Sequence, residues 1–274
     1  MSDGRSHVLR WSLLGLGVVA LVAVGVVGGS YLLRDQPKPK TLRDAVGDFR
    51  RENGTTTSAA GPDRLPAPGV YEVGGSGGED ISFPPNSQTD GTTMPASVQH
   101  LSADCFRWRI DYNVAHWHQL DFCRDGTDLL LGAQVNSQRW DFGTTTVENT
   151  ATFDCTPRQR YPLGSPVGTV TTATCTGTNT AVSGRSTITD RTEVVGREQL
   201  RIGDRTVTAV HLHQHDGLTG AQTGQNDVDW WFDAATGLPV KATRSYRLDT
   251  ASPIGAITYT EDGQWQLRSL EPRS

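Results

Sequence analysis

Three histidines at alternate positions, His211, His213 and His215 in VTAVHLHQHD, are the residues of this chain best placed for metal chemistry. On a regular strand they share one face, with neighbours about 6.5–7 Å apart. Zinc holds its nitrogen ligands at about 2.1 Å, so adjacent same-face imidazoles meet on one ion only with favourable rotamers. The spacing allows a weak metal site but favours a solvated or half-buried face, and no metal or cofactor is expected. His116 and His118 repeat the alternation around Trp117, on a face shared with Leu120, and a solvated sheet face is expected there too. Asp121 and Asp125 add carboxylates nearby without a fixed geometry.

Asp227, Asp229 and Asp233 bracket the pair Trp230-Trp231. Two carboxyls on one strand face stand at a separation that sugar hydrolysis tolerates, about 5–9 Å, but the spacing is unspecific. Asp233 is better read as a turn cap, accepting from the amides of Ala235 or Thr236 while Gly237 takes positive φ. Gly74-Gly75-Ser76-Gly77-Gly78 has the spacing G-x-S-x-G, but no helix follows it, so it is not the strand-to-helix elbow of a serine nucleophile. Gly74–Gly78 has no lysine and no following helix, so it reads as a flexible turn and not as a phosphate loop. The expectation is a protein without catalytic activity.

The elements that hold these residues are strands. After residue 68 no segment keeps a 3.6-residue apolar period for three turns, whereas period-two alternation is plain. In 104–112, Phe106, Trp108 and Ile110 point one way while Arg107, Arg109 and Asp111 point the other. Many short strands separated by Asp-Gly, Thr-Gly and Gly-Asp turns imply an all-β domain with a large antiparallel curved sheet or half-barrel, which must bend to bury its apolar face. Cys105 and Cys123 lie symmetrically about a turn at Val114, and Cys155 and Cys175 about Ser165. Hairpins at those turns bring each pair opposite, so disulfides 105–123 and 155–175 are expected. Thiolate spacing for a zinc knuckle is absent.

The chain also carries an uncharged run, Trp11–Leu33, flanked by Arg10 and Arg34. At about 1.5 Å per residue it crosses roughly 30 Å of hydrocarbon as one helix. A short basic leader also suits a cleaved signal peptide, but the run is long for that and lacks an A-x-A-like site. The expected organisation is a cytoplasmic N-terminus at 1–10, one transmembrane helix at 11–33, a flexible linker at 34–66 and an extracytoplasmic domain at 67–274. Thr41–Arg51 can form a short helix in that linker. Basic residues just after the span argue for the opposite orientation; the four downstream cysteines and the leader outweigh them. Residues 1–43 carry a net charge of +4, which against −5 for the whole chain leaves the rest near −9. So acidic a domain argues against nucleic acid as a partner.

Trp230 and Trp231 are adjacent, so on a strand they face opposite ways, and whichever is not core is either covered or a binding anchor. The opening PAPGVYEV, the cysteine hairpin and the turn WWFDAATGLPVK resemble an actinobacterial family of membrane-anchored secreted β-domains, and more distantly the curved-sheet, LolA-like envelope lipoproteins. That resemblance implies a curved envelope domain and carries no activity with it. A LolA-like lipid carrier would also need a lid helix, which the sequence does not show. The function expected is a non-enzymatic domain of the cell envelope, anchored in the cell membrane, that binds a lipid, a glycan or a protein. A purely structural or assembly role comes next, and a metal-dependent enzyme at His211, His213 and His215 third.

Overall fold

The computed structural model describes residues 36–53, 64–143, 145–253 and 255–274. The expected span, Trp11–Leu33, and the leader before it lie outside them. Among the described residues no helix is long and apolar enough to cross a membrane. Helix α1 (Leu42–Asn53) is followed by β1 (Gly69–Ser82), β2 (Pro85–Thr89), β3 (Thr93–His100), β4 (Cys105–Asp111), β5 (His116–Asp125), β6 (Asp128–Asp141) and β7 (Thr146–Tyr161). The series continues through β8 (Val170–Asn179), β9 (Val182–Ile202), β10 (Arg205–Gly220), β11 (Gln222–Asp233), β12 (Pro239–Ser252) and β13 (Gly255–Leu267).

Neighbours in sequence are neighbours in the sheet, except that β2 is a side branch. β1 pairs with β3 through its first half and with β2 through its last residues. The sheet then closes, because β13 pairs with β1 from Val73↔Leu267 to Ile81↔Tyr259. Twelve antiparallel strands thus form a closed barrel in place of the open sheet or half-barrel expected. Closure removes the two edges that β1 and β13 would otherwise present as unpaired N–H and C=O groups. That pairing joins the two ends of the domain, beyond the reach of local periodicity.

Gly74–Gly78, expected as a turn, is the middle of β1. A Cβ on Gly75 would lie 2.3 Å from the Gln264 carbonyl oxygen, and one on Gly77 would lie 2.5 Å from Asp90 Oδ2. The glycines let β13 and Asp90 approach the strand closely, a use of glycine within strands that the turn reading overlooks.

The linker expectation also needs correction. Thr41 caps α1: its hydroxyl accepts from the Asp44 amide at 3.1 Å and donates to Asp44 Oδ2 at 2.6 Å. Lys40 Nζ lies 2.9 Å from Asp48 and 3.3 Å from Asp111 at the end of β4, and the Val114 amide donates to the Lys38 carbonyl at 3.0 Å. Residues 37–53 are therefore docked on the barrel, not a free tether. Residues 54–63 of the expected linker lie outside the described residues.

Both cysteine pairs sit in register, Cys105 opposite Cys123 on β4–β5 and Cys155 opposite Cys175 on β7–β8. Both are disulfides, in the pairing that the hairpins imply. Inside the ring, Trp108 of β4 stacks on Trp265 of β13 with centroids 5.8 Å apart. Phe122 of β5 meets Phe232 of β11 at 5.9 Å and Tyr161 of β7 at 5.4 Å. Opposite walls of the barrel therefore touch through their aromatic rings, and this end of the lumen is a packed core.

Candidate functional site

The inward faces change character at one level of the barrel. On β13, Leu267 and Trp265 give way to Gly263, Glu261 and Tyr259; on β12, Val240 and Ala242 give way to Arg244; on β10, Val210 and Leu212 give way to Gln214 and Asp216. β5 runs from Phe122 and Leu120 to His118 and His116. Strand periodicity keeps all of these on the lumen side, so a polar layer lies beyond the aromatic core. His116 is fully buried and His118 nearly so, which overturns the solvated face expected for them. Their parity with Leu120 and Phe122 was the available signal.

One half of the layer is organised by Arg244. Its Nε donates to Glu261 Oε1 and its Nη2 donates to Asp90 Oδ2 at 2.6 Å, while the guanidinium lies 3.9 Å over the Tyr112 ring. Gly263 leaves room for it, since a Cβ there would lie 2.6 Å from Arg244 Nη1. The Tyr259 hydroxyl lies 2.6 Å from Glu261 Oε2 and 2.7 Å from Glu79 Oε2, and Gln138 Nε2 donates to Glu79 Oε2 at 3.0 Å. His116 turns Nε2 to Asn136 Oδ1 at 3.2 Å and Nδ1 towards Glu79 Oε2 at 3.5 Å. Burial pushes the Glu79 carboxyl up to about 7 and the His118 imidazole down to about 4. Burial also raises Glu261, but Arg244, His116 and the Tyr259 hydroxyl together outweigh it and hold that carboxyl below its usual range. Among the described residues, Glu79, His116 and Glu261 are the set whose possible ligand atoms all lie within 4.8 Å of one another.

The other half is a carboxyl pair. Asp190 of β9 and Asp216 of β10 are register partners facing inward, both buried. Asp190 Oδ2 accepts from Gln159 Nε2 at 2.8 Å and from the Thr192 hydroxyl at 3.1 Å. Asp216 accepts from Gln214 Nε2, whose Oε1 in turn accepts from Tyr161 and from Trp230 Nε1, each at 3.0 Å. Burial, with Asp216 beside it, pushes Asp190 up to about 9; burial raises Asp216 too. The pair holds a proton at neutral pH, as opposed buried carboxyls do.

The residues singled out by sequence lie on the outside. His211 Nε2 is 2.8 Å from Asp229 Oδ1 and His213 Nδ1 is 3.2 Å from the same oxygen; His215 Nδ1 is 2.8 Å from Asp227 Oδ1. The three imidazoles are distributed along two carboxylates and do not point at a common centre. Asp227 and Asp229 thus serve histidines across the β10–β11 ladder. Asp233 caps its turn, accepting from the amides of Ala235 at 3.3 Å and Thr236 at 3.2 Å, with Gly237 at φ 76°. Of the tryptophan pair, Trp230 is in the core. Trp231 faces outward yet is covered: His211 stacks on it at 4.2 Å, Lys241 Nζ lies 3.9 Å from its centroid, and its Nε1 donates to Glu198. Neither indole is the exposed anchor considered above.

No family model matches the chain, and no curated protein matches it. The family resemblance expected from the WWFDAATGLPVK turn is thus not shown. Among solved structures, the chain is similar to the hypothetical lipoprotein YmcC from Escherichia coli (K12), at 14% identity and a TM-score of 0.33, over 82% of this chain and 97% of that one. So distant a likeness carries no functional argument, and the readings below rest on this chain's own residues.

Proposed function

We propose that this chain is a non-enzymatic domain of the cell envelope that engages a partner on the outer surface of its barrel and carries no lipid within it. The observation that carries this reading is the lumen. Trp108, Trp265, Phe122, Phe232 and Tyr161 fill it from opposite walls, and the polar layer beyond satisfies most of its groups internally. An interior lipid site needs an apolar cavity of roughly 300 Å³ or more; the space is taken by side chains. The envelope location is supported by two disulfides, which persist in oxidising compartments, and by the apolar run Trp11–Leu33 in the sequence.

A hollow of about 530 Å³ opens on the outside of β6–β8, lined by Leu130, Pro157, Arg158, Arg160, Thr171 and Thr172. Val170, next to it in β8, is exposed, as are Val167 and Val195. Arg158, beside an Arg160 already held by Asp125 and Asp128 and next to exposed apolar side chains, suits a protein or an acidic glycan. A photo-reactive residue placed at Arg158 in the membrane-bound chain should crosslink to a partner, whereas one at Asp204 in the β9–β10 turn should not. Equal labelling at both positions, or a lipid retained one-to-one on extraction of the purified chain, would refute the reading.

A further inference from the structure

The polar half-layer around Arg244 is not electrically complete. It holds the carboxylates of Glu79, Asp90 and Glu261 against one guanidinium, and the side chains of Glu79, Asp90, Glu261 and Arg244 are all at least nine-tenths buried. Three acids share that one guanidinium in a site shut off from water, where an ionised group costs several kcal/mol unless it is paired. The hydrogen bonding is incomplete at the same place. Glu79 Oε1, His116 Nδ1 and His118 Nε2 are buried and without a hydrogen-bond partner. His116 Nε2 is directed at Asn136 Oδ1, so Nδ1 is the ring nitrogen turned to Glu79. Two buried ligand-type atoms 3.5 Å apart, one of them unpartnered, leave a place for a cation between them.

We propose that Glu79, His116 and Glu261 bind a divalent cation, of the zinc class, as a structural centre inside the barrel. His116 Nδ1 and Glu79 Oε2 are 3.5 Å apart, the spacing of about 3.4 Å between ligands of a tetrahedral ion with bonds near 2.1 Å, and all three ligand atoms lie within 4.8 Å, so a small inward shift completes the set. A cation there adds positive charge where three acids otherwise share the Arg244 guanidinium. A Glu79 oxygen and His116 Nδ1 become ligands, and Asn136, accepting from Nε2–H, fixes the imidazole tautomer. The ion is structural, not catalytic, because all three residues are buried and no position opens to solvent or substrate. It joins β1, β5 and β13, and so ties the closing β1–β13 seam to the hairpin that carries the Cys105–Cys123 disulfide.

The test uses the full-length chain, purified in detergent without chelator, with zinc ions as the only added probe. Elemental analysis should find about one divalent ion per chain, and stripping it by chelator during partial unfolding should lower Tm, with recovery on stoichiometric zinc. Glu79→Gln, which keeps an oxygen for Tyr259 to donate to, and His116→Gln should each abolish both the ion and the zinc response. The triple replacement His211→Ala, His213→Ala and His215→Ala should leave them intact. Should the buried variants fail to fold, cobalt added to the stripped wild type gives an independent reading: visible d–d bands of a nitrogen- and oxygen-ligated ion are expected, and their absence counts against the site. A metal-free wild type whose Tm ignores zinc would overturn the proposal, and so would an ion lost with the outer histidines.

Discussion

β10 carries two chemistries on its two sides. Outward it presents His211, His213 and His215 to the carboxylates of Asp227 and Asp229; inward, from alternate positions, it presents Leu212, Gln214 and Asp216. The same contrast separates these outer histidines from His116 and His118 within the lumen. Outside, water is an alternative partner for every polar atom, so an imidazole–carboxylate contact is replaceable. Inside, a polar group that loses its partner keeps its full desolvation cost. Identical residue types at comparable distances therefore carry different energetic weight, and the side of the sheet decides which.

The largest effect should come from breaking the inner network at its one guanidinium. Arg244→Ala leaves Asp90 and Glu261 buried without their partner, a loss expected at about 3–5 kcal/mol. Chemical denaturation followed by tryptophan fluorescence would measure it. A loss no greater than that of an exposed ion pair would mean that water reaches the layer, and the contrast between the two sides would collapse.

The two disulfides offer the same comparison in covalent form. They span separations of 18 and 20 residues, so chain entropy assigns each about 3 kcal/mol. Cys155 and Cys175, however, also pack with Phe153, Ile188 and Leu218 in a small second core, while Cys105 is half-buried and Cys123 likewise. Replacing both members of a pair by Ala should lower Tm in either case, and further for 155–175. Equal losses would show that the second core adds nothing beyond the crosslink.

A sharper measurement concerns Asp190. Its carboxyl titrates at about 9 in the fold and near 3.9 when unfolded. Between those values the native state keeps a proton that the unfolded state has released, so stability falls as pH rises through the window. The slope for one proton is about 1.4 kcal/mol per pH unit. Asp190→Asn mimics the protonated form, and should flatten the decline in Tm between roughly pH 5 and 8 while gaining most at the alkaline end. An unchanged slope would place the shared proton elsewhere.

What could be read in advance follows the range of the interactions. The hairpins, the disulfide pairs and the Asp233 turn are set by residues within about twenty positions of each other, and spacing reveals them. Closure depends on Val73 meeting Leu267 and on glycines that clear space for β13, Asp90 and Arg244, none of which leaves a local trace. The buried cluster draws single residues from β1, β5, β12 and β13. Glu79, Arg244 and Glu261 look like ordinary surface charges until strand parity is followed from the aromatic core outward. His116 and His118 could have been placed in the lumen on that ground, since Leu120 and Phe122 share their face. The covering of Trp231 could not, because it needs His211 and Lys241 from the two flanking strands.

The smallest effect is expected where the sequence looked most chemical. Asp229 accepts from two outer histidines and lies 3.5 Å from the Thr243 hydroxyl, yet it is about one-third exposed. Exposed pairs of this kind contribute about 0.2–1 kcal/mol. Asp229→Asn should therefore cost less than 1 kcal/mol, roughly, and the cost should fade in 1 M salt, where the screening length is about 3 Å. Parallel melts of wild type and variant at low and high salt would show it. The same variant should leave the stacking of His211 on Trp231 in place, because that contact depends on ring overlap and the flanking strands, so iodide quenching of tryptophan fluorescence should be unchanged. A salt-insensitive loss of several kcal/mol would mean that the outer ladder clamps β10 to β11 as firmly as the inner network does, and burial would no longer separate the two faces.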